Sequence, residues 1–369
     1  MIEDLATIAV EIRPAPRLTL HGPTGDGAVL ARTDCNSPVL RQAGRALAFV
    51  SHYAPRGRTW RRAAADPFDT AATLQQVRLL DDPAPTVGKW IESVWREPQD
   101  GPVDGGMGGR LFGWYHAEEP ADCPALLPRR LFVPHIGALL SDDDGASWRF
   151  LGEVLRAPRD QIDCGFANGF VTGGYGDFCV VAEGDFFYLH YSSYVADQAA
   201  QGVCVARYPI AARERPAGVQ HWRDGVWRMM GDHELPHPLL PAQRGWRHAD
   251  PESFWGPALH FNRGLECWAM LLNHAQGGRD IHQEGIYVAF NRRLADPGGW
   301  TQPRRIVQGG FWYPQAIGLG PEDGDASADL VARFFIAGVS EWQIRFGPAA
   351  APGQAGEVKI AKAPLDPGW

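Results

Sequence analysis

The pattern of apolar residues is what most restricts the folds open to this chain. Helical periodicity is nearly absent, and alternating or apolar runs of about 5 to 8 residues follow one another, separated by Gly, Pro, Asp and Asn. The runs fall into groups of four: 37–40, 46–53, 59–62 and 74–80; then 90–96, 110–117, 135–141 and 148–155; then 176–182, 185–194, 202–208 and 226–230. Two more groups follow, at 254–262, 265–273, 285–290 and 302–308, and at 312–319, 330–339, 342–346 and 358–361. Each group reads as a four-stranded antiparallel sheet with an inner strand, an apolar-aromatic second strand, a short third and an amphipathic fourth. The repeat spacing of roughly 55 to 85 residues suits blades with long loops. The fold class this predicts is all-β, a five-bladed β-propeller forming one domain over residues 1–369. Its blades span approximately 34–80, 87–155, 174–230, 252–308 and 311–369, and residues 8–20 complete the last blade and close the ring. The competing arrangement is a β-sandwich or a two-domain β protein.

One octet sharpens this reading. Residues 141 to 148 run Ser-Asp-Asp-Asp-Gly-Ala-Ser-Trp, fitting S-x-D-x-G-x-x-W through Ser141, Asp143, Gly145 and Trp148. A tight hairpin needs a carboxylate for its own amides, a glycine where φ is positive, and an aromatic to seat the turn on the sheet. The octet resembles the Asp-box of sialidase-type propellers. It falls between the third and fourth strands of its group, on the rim away from the inner-strand starts, so its expected role is structural.

Composition narrows the partners. A net charge of −8 with dispersed Lys and Arg argues against nucleic acid or an anionic membrane surface. No run approaches a membrane span and no basic-then-apolar leader is present, so the chain is expected to be soluble, either cytoplasmic or exported with its signal trimmed. The six cysteines show no C-x-x-C spacing, and Cys179, Cys204 and Cys267 lie in apolar strand patterns as expected buried thiols. The letters His233-Glu234-Leu235-Pro236-His237 match H-E-x-x-H, but Pro236 and Pro238 disfavour the helix that a zinc site of this kind requires. Gly105 to Gly109 reads as a loop rather than a phosphate cradle. Oligomeric state is not set by the sequence.

In a propeller the loops entering inner strands and the second-to-third turns share one face. At the entries stand Asp34 with Asn36, Glu92, Asp177, Glu252, and Tyr313 with Gln315. At the turns stand His52 and Tyr53, His116 and Glu118, Tyr194, Asn273 and His274, Glu284, and Glu341. Carboxylates converging among aromatics suit glycoside hydrolysis, in which one group protonates the leaving oxygen and another activates water or attacks. Trp95, Trp114, Tyr175, Trp255 and Tyr313 are the expected stacking faces for sugar rings.

This layout is similar to the five-bladed propeller glycosidases of the arabinanase and β-xylosidase type. The resemblance implies Asp34 as base or nucleophile and Asp177 as the orienting carboxylate of the third blade. On the fourth blade the pattern departs: where that family has Glu-Gly-Pro, this chain has Trp255-Gly256-Pro257. Glu252 and Glu284 are the leading substitutes for the acid, with Glu118 and His260 also available. The sialidase alternative would demand a convergent arginine trio that the inner-strand starts lack. The expected function is thus glycosidic bond cleavage in an oligo- or polysaccharide. A non-catalytic glycan- or protein-binding propeller and a sugar-active lyase or transferase are the alternatives. No cofactor is required, although a structural calcium on the channel axis near His260 is compatible with the pattern.

Overall fold

The computed structural model describes residues 4–25, 32–42, 44–52, 57–98, 109–123, 131–165, 172–231, 233–277, 282–348 and 358–360. Tyr53 and residues 105–108 lie outside this set. Five antiparallel sheets surround a central channel. Their inner strands are Val39–Gln42, Gly88–Arg96, Tyr175–Glu183, Glu252–Asn262 and Pro314–Gly318, which open blades 1 to 5 in chain order. No helix among the described residues is long and apolar enough to cross a membrane.

Both faces of each sheet are covered, which is why the strands read as nearly continuous apolar runs rather than strict alternations. One buried cluster fills each interface between neighbouring blades. Leu47, Phe49, Ile91 and Trp148 join blades 1 and 2; Trp114, Phe178 and Phe187 join 2 and 3; Val181, Leu259 and Met270 join 3 and 4. Leu271, Phe290 and Phe334 join blades 4 and 5, and Val50, Trp60 and Phe335 join 5 and 1.

The ring closes through the N-terminal strand Ala9–Thr19, which pairs antiparallel with Val339–Gly347 as the outermost strand of blade 5. Its Pro14 and Pro16 lack N–H donors and are tolerated because this is an edge strand. The expected fourth strand of blade 5 is therefore displaced: Val358–Ile360 instead runs parallel to Arg304–Gly309 at the edge of blade 4. Blade 3 differs too. Gln220–Arg223 takes its fourth place, and Val226–Met229 folds back on it through Asp224-Gly225, both at positive φ (53° and 81°) as a two-residue hairpin turn demands. The run at 74–80 divides, with Gln75–Gln76 ending blade 1 and Arg78–Leu80 crossing to run parallel to Ser147–Leu155 of blade 2.

The octet closes the last hairpin of blade 2. Ser147 N and Ser141 Oγ donate to Asp143 Oδ1 at 2.8 Å each, Ser147 Oγ donates to Oδ2 at 2.6 Å, and Trp148 Nε1 donates to Gly145 O at 3.0 Å. The fully buried Trp148 ring meets Phe49 of blade 1 edge-on, 5.7 Å between centroids. His233 to His237 form no helix; His233 faces Asp160 and His237 faces Asp224, so the two imidazoles do not converge.

Candidate active site

Three inner strands carry a bulge near their start, and a bulge re-aims the side chain it releases from the ladder. The unpaired residue is Glu92 in blade 2 and Asp177 in blade 3, while Gly256 and Pro257 fill the corresponding stretch of blade 4. Asp177 holds φ at 42° and Tyr313, just before the inner strand of blade 5, holds 57°. Such left-handed backbone at a bulky residue costs on the order of 1–3 kcal/mol and persists where the surroundings enforce it. At Gly256 (φ 56°) a Cβ would collide with the Asn273 amide, so only glycine fits.

The side chains released in this way meet around His116, which comes from the second strand of blade 2. His116 Nδ1 lies 2.8 Å from Glu92 Oε1, and its Nε2 lies 3.5 Å from Glu118 Oε1. Phe178 N donates to the other Glu92 oxygen at 3.0 Å. Asp177 takes a hydrogen bond from the Tyr194 hydroxyl on Oδ2 and one from Tyr313 on Oδ1 at 3.0 Å. Half-buried Asp34 completes the group: among the charges acting on it, Glu118 and Asp177 are the strongest.

Four carboxylates around one imidazole cannot all be ionised cheaply. Burial, reinforced by Glu118 and Asp177, raises the Asp34 pKa well above the usual carboxylate range. Burial also pushes Glu92 up to about 7, against the opposing pull of His116. Asp177 is raised by burial, opposed by His116 and its two phenol donors. For His116, burial acts downward, but the Glu118 and Glu92 carboxylates outweigh it and hold the imidazole protonated well above its ordinary value. The cluster as a whole therefore keeps its protons to higher pH than free carboxylates and a free imidazole do.

An aromatic cup surrounds these groups. Trp90, Tyr194, Trp246, Trp255 and Tyr313 form one buried cluster with Cys35, and Trp312 packs against it. Trp90 lies 5.3 Å from the His116 ring, and Trp246 meets Tyr194 edge-on at 5.3 Å. Arg247 fixes this arrangement from behind. It donates to the carbonyls of Tyr194 (3.2 Å), Val195 (3.3 Å) and Asp163 (3.1 Å), and it pairs with the Asp163 carboxylate at 2.9 Å. Asp163 adjoins Cys164, which is disulfide-bonded to Cys123.

Several residues expected at the site lie elsewhere. Trp95, Trp114 and Tyr175 belong to the core between blades 2 and 3, where Trp114 donates to the Tyr208 hydroxyl at 2.9 Å, so they offer no stacking face. Glu252 is held by Arg244 at 2.9 Å and Gln276 at 3.1 Å, without contact to the His116 group. Glu284 accepts from His274 (3.0 Å), Tyr287 (2.9 Å) and Arg305; although burial acts upward, these donors lower its pKa, the wrong direction for a proton donor. Burial holds His260 down to about 4, so it is a neutral imidazole at physiological pH. Asn36, Gln315 and Asn273 are architectural. Asn36 Nδ2 donates to the carbonyls of Phe178 and Pro257, both at 2.9 Å, and ties blade 1 to blades 3 and 4. Gln315 exchanges two hydrogen bonds with the Ser37 backbone, at 2.7 and 3.3 Å, joining blade 5 to blade 1. Asn273 spans Gly256 O and Gln283 within blade 4. Trp246 and Arg247 escaped the sequence reading because they sit in a long irregular segment with no periodic signal. The Cys123–Cys164 bridge escaped it because its partners are 41 residues apart without a diagnostic spacing.

Beneath the cluster the channel is nearly filled. A cavity of about 10 Å³, room for roughly one water, is lined by Asn36, Glu92, His260, Gln315 and Asp325 among others. At the cluster itself Glu92, His116 and Asp177 each offer a ligand atom within 4.8 Å of the others. One imidazole and two carboxylates suit a transition ion better than calcium, which takes six to eight oxygens.

This architecture is that of the five-bladed β-propeller glycoside hydrolases. Among solved structures the chain is similar to the catalytic domain of the Coprinopsis cinerea GH62 α-L-arabinofuranosidase, at 12% identity over 94% of this chain and 99% of that one, with a TM-score of 0.50. It is equally similar to the Penicillium chrysogenum α-L-arabinanase complexed with arabinobiose, at 12% identity over 95% and 87% of the two chains, TM-score 0.50. At such identities the likeness is one of fold. The sequence matches no family model and no curated protein.

Proposed function

We propose that the protein is a glycoside hydrolase that cleaves an O-glycosidic bond of an oligo- or polysaccharide at the His116 cluster. The observation that carries this reading is the convergence of Asp34, Glu92, Glu118 and Asp177 on one imidazole inside an aromatic cup. Hydrolysis of an acetal needs a proton for the leaving oxygen and a base or nucleophile for the anomeric carbon. Asp34, held protonated by burial and by its acidic neighbours, is the proton donor. Glu118, the least buried carboxylate paired with His116, activates water or attacks the sugar. Asp177 has both oxygens occupied by phenols and acts as the orienting carboxylate. Trp312, the partly exposed ring of the cup, supplies an apolar face for the substrate, whereas Trp255 and Tyr313 are buried within it. No cofactor enters these steps. A cation on the channel axis would be met by the carboxylates of Glu92 and Asp325 and by the His260 imidazole. The Cys123–Cys164 bridge supports folding in an oxidising compartment.

Aryl arabinofuranosides and aryl β-xylosides test this assignment. Glu118→Gln should lower kcat/KM by about 10²–10⁴-fold on every substrate. Asp34→Asn should lose as much with a poorly acidic phenol as leaving group, yet recover with dinitrophenol, which departs without a proton. Near wild-type rates for either variant on the poor leaving group, or no recovery for Asp34→Asn, would remove the respective role.

A further inference from the structure

We propose that the cleft between blades 1 and 2 is a second carbohydrate site, one that takes a sugar unit carrying a carboxylate, that is, a uronate. The choice of a sugar rests on the proposed function. The cleft has a volume of about 430 Å³, within the ~300–1,000 Å³ of small-ligand sites. Gly57, Arg58 and Thr59 enter it from the second-to-third turn of blade 1, and Lys89 and Ile91 from the start of the inner strand of blade 2. Between the two sites stands Trp90, whose indole packs against Gly57 on one side and the His116 ring on the other.

Three features define what the cleft can bind. Tyr115 lines it, and its hydroxyl, which is not sealed from solvent, makes no hydrogen bond among the described residues. It is thus available to a ligand that enters the cleft. Its ring is seated over Gly137, where a Cβ would overlap it, so the backbone is shaped to admit this side chain. Arg58 and Arg78 also line the cleft, both exposed and both without an ion-pair partner among the described residues. The remaining charges cancel: Lys89 Nζ is 2.9 Å from Asp82 Oδ1 and also donates to Ala84 O at 2.6 Å. A chain of net charge −8 thus presents at one cleft two guanidiniums that no described carboxylate pairs, and guanidinium is the group best matched to a carboxylate. Val77, Leu79, Val87 and Ile91 form an apolar wall, which a ring face can use and a bare inorganic anion cannot.

The test is titration calorimetry of the whole protein with glucuronate, galacturonate, glucose, galactose and inorganic sulfate. A uronate should bind saturably, the neutral sugars should bind at least tenfold more weakly, and Arg58→Gln with Arg78→Gln should weaken the uronate at least tenfold. Tyr115→Phe should weaken it severalfold, and Asp34→Asn should leave it unchanged. Absence of uronate binding, equal binding of the neutral sugars, or indifference to the arginine substitutions would overturn the proposal. Sulfate binding as tightly as the uronate would reduce the cleft to a simple anion site and overturn it as well. Uronate binding in a protein that hydrolyses no glycoside would count against the proposed function alone, and hydrolysis without uronate binding would count against this site alone.

Discussion

The two phenols that clamp Asp177 give a test of the site that needs no substrate. Tyr194 donates to one carboxylate oxygen and Tyr313 to the other, at 3.0 Å, in a setting where burial alone raises the Asp177 pKa. Because that pKa stands above its unfolded value, the folded protein retains this proton longer than the unfolded chain does. The associated stability is present at acid pH and is lost as pH rises through the folded value. Removing a phenol raises the folded value further, so the additional loss appears only where Asp177 is ionised. A hydrogen bond to a charged group contributes about 1.5–3 kcal/mol, against about 0.5–1.5 for a neutral pair. Tyr194→Phe or Tyr313→Phe should therefore cost about 1.5–3 kcal/mol at pH 8.5 and about 1 kcal/mol or less at pH 4.5. The two costs should nearly add, since each phenol serves its own oxygen. Urea unfolding followed by tryptophan fluorescence at the two pH values measures this, and in an Asp177→Asn background the pH dependence of the difference should vanish. A cost that is the same at both pH values, or a pH dependence that survives the Asp177→Asn substitution, would show that the phenols matter by packing and not by stabilising the carboxylate. In a turnover assay the acid limb of the pH profile should move upward in both Tyr→Phe variants.

Two further predictions concern the supports of the site. Asp143→Ala removes three hydrogen bonds from the hairpin of blade 2 and should lower stability by about 1–2 kcal/mol in urea unfolding, with activity per folded molecule unchanged. Arg247→Met strands the carbonyls of Tyr194 and Val195 together with Asp163, and should cost roughly 2–3 kcal/mol. If Arg247 also holds Tyr194 on Asp177, the same variant should show the upward acid-limb shift of Tyr194→Phe; an unshifted limb would confine Arg247 to stability.

What could be read in the sequence was what is local. Short apolar runs and their Gly, Pro and Asp breaks mark strands within a few residues, so the octet hairpin and the four-strand groups were legible, apart from the outermost strands of blades 3 and 5. Face assignment was not, because a propeller strand is covered by apolar neighbours on both sides. Trp95 and Trp114 point into a blade interface and Trp90 and Trp255 into the cup, yet the four occur in similar surroundings of sequence. A bulge decides such cases, since one unpaired residue reverses the facing of those around it. Glu92 and Asp177 are released by bulges at their own positions, whereas Glu252 remains in register opposite Gln276 and stays with Arg244. The bulge of blade 4 comes four residues later, at Gly256, which has no side chain to offer; its amide donates to Ser192 Oγ at 2.9 Å and its Cα lies against Asn273. Blade 4 therefore brings backbone and the Trp255 ring to the site, but no acid. In the proposed reaction the proton for the leaving oxygen therefore comes from blades 1 to 3, where Asp34, Glu92 and Asp177 are all held above the ordinary carboxylate range.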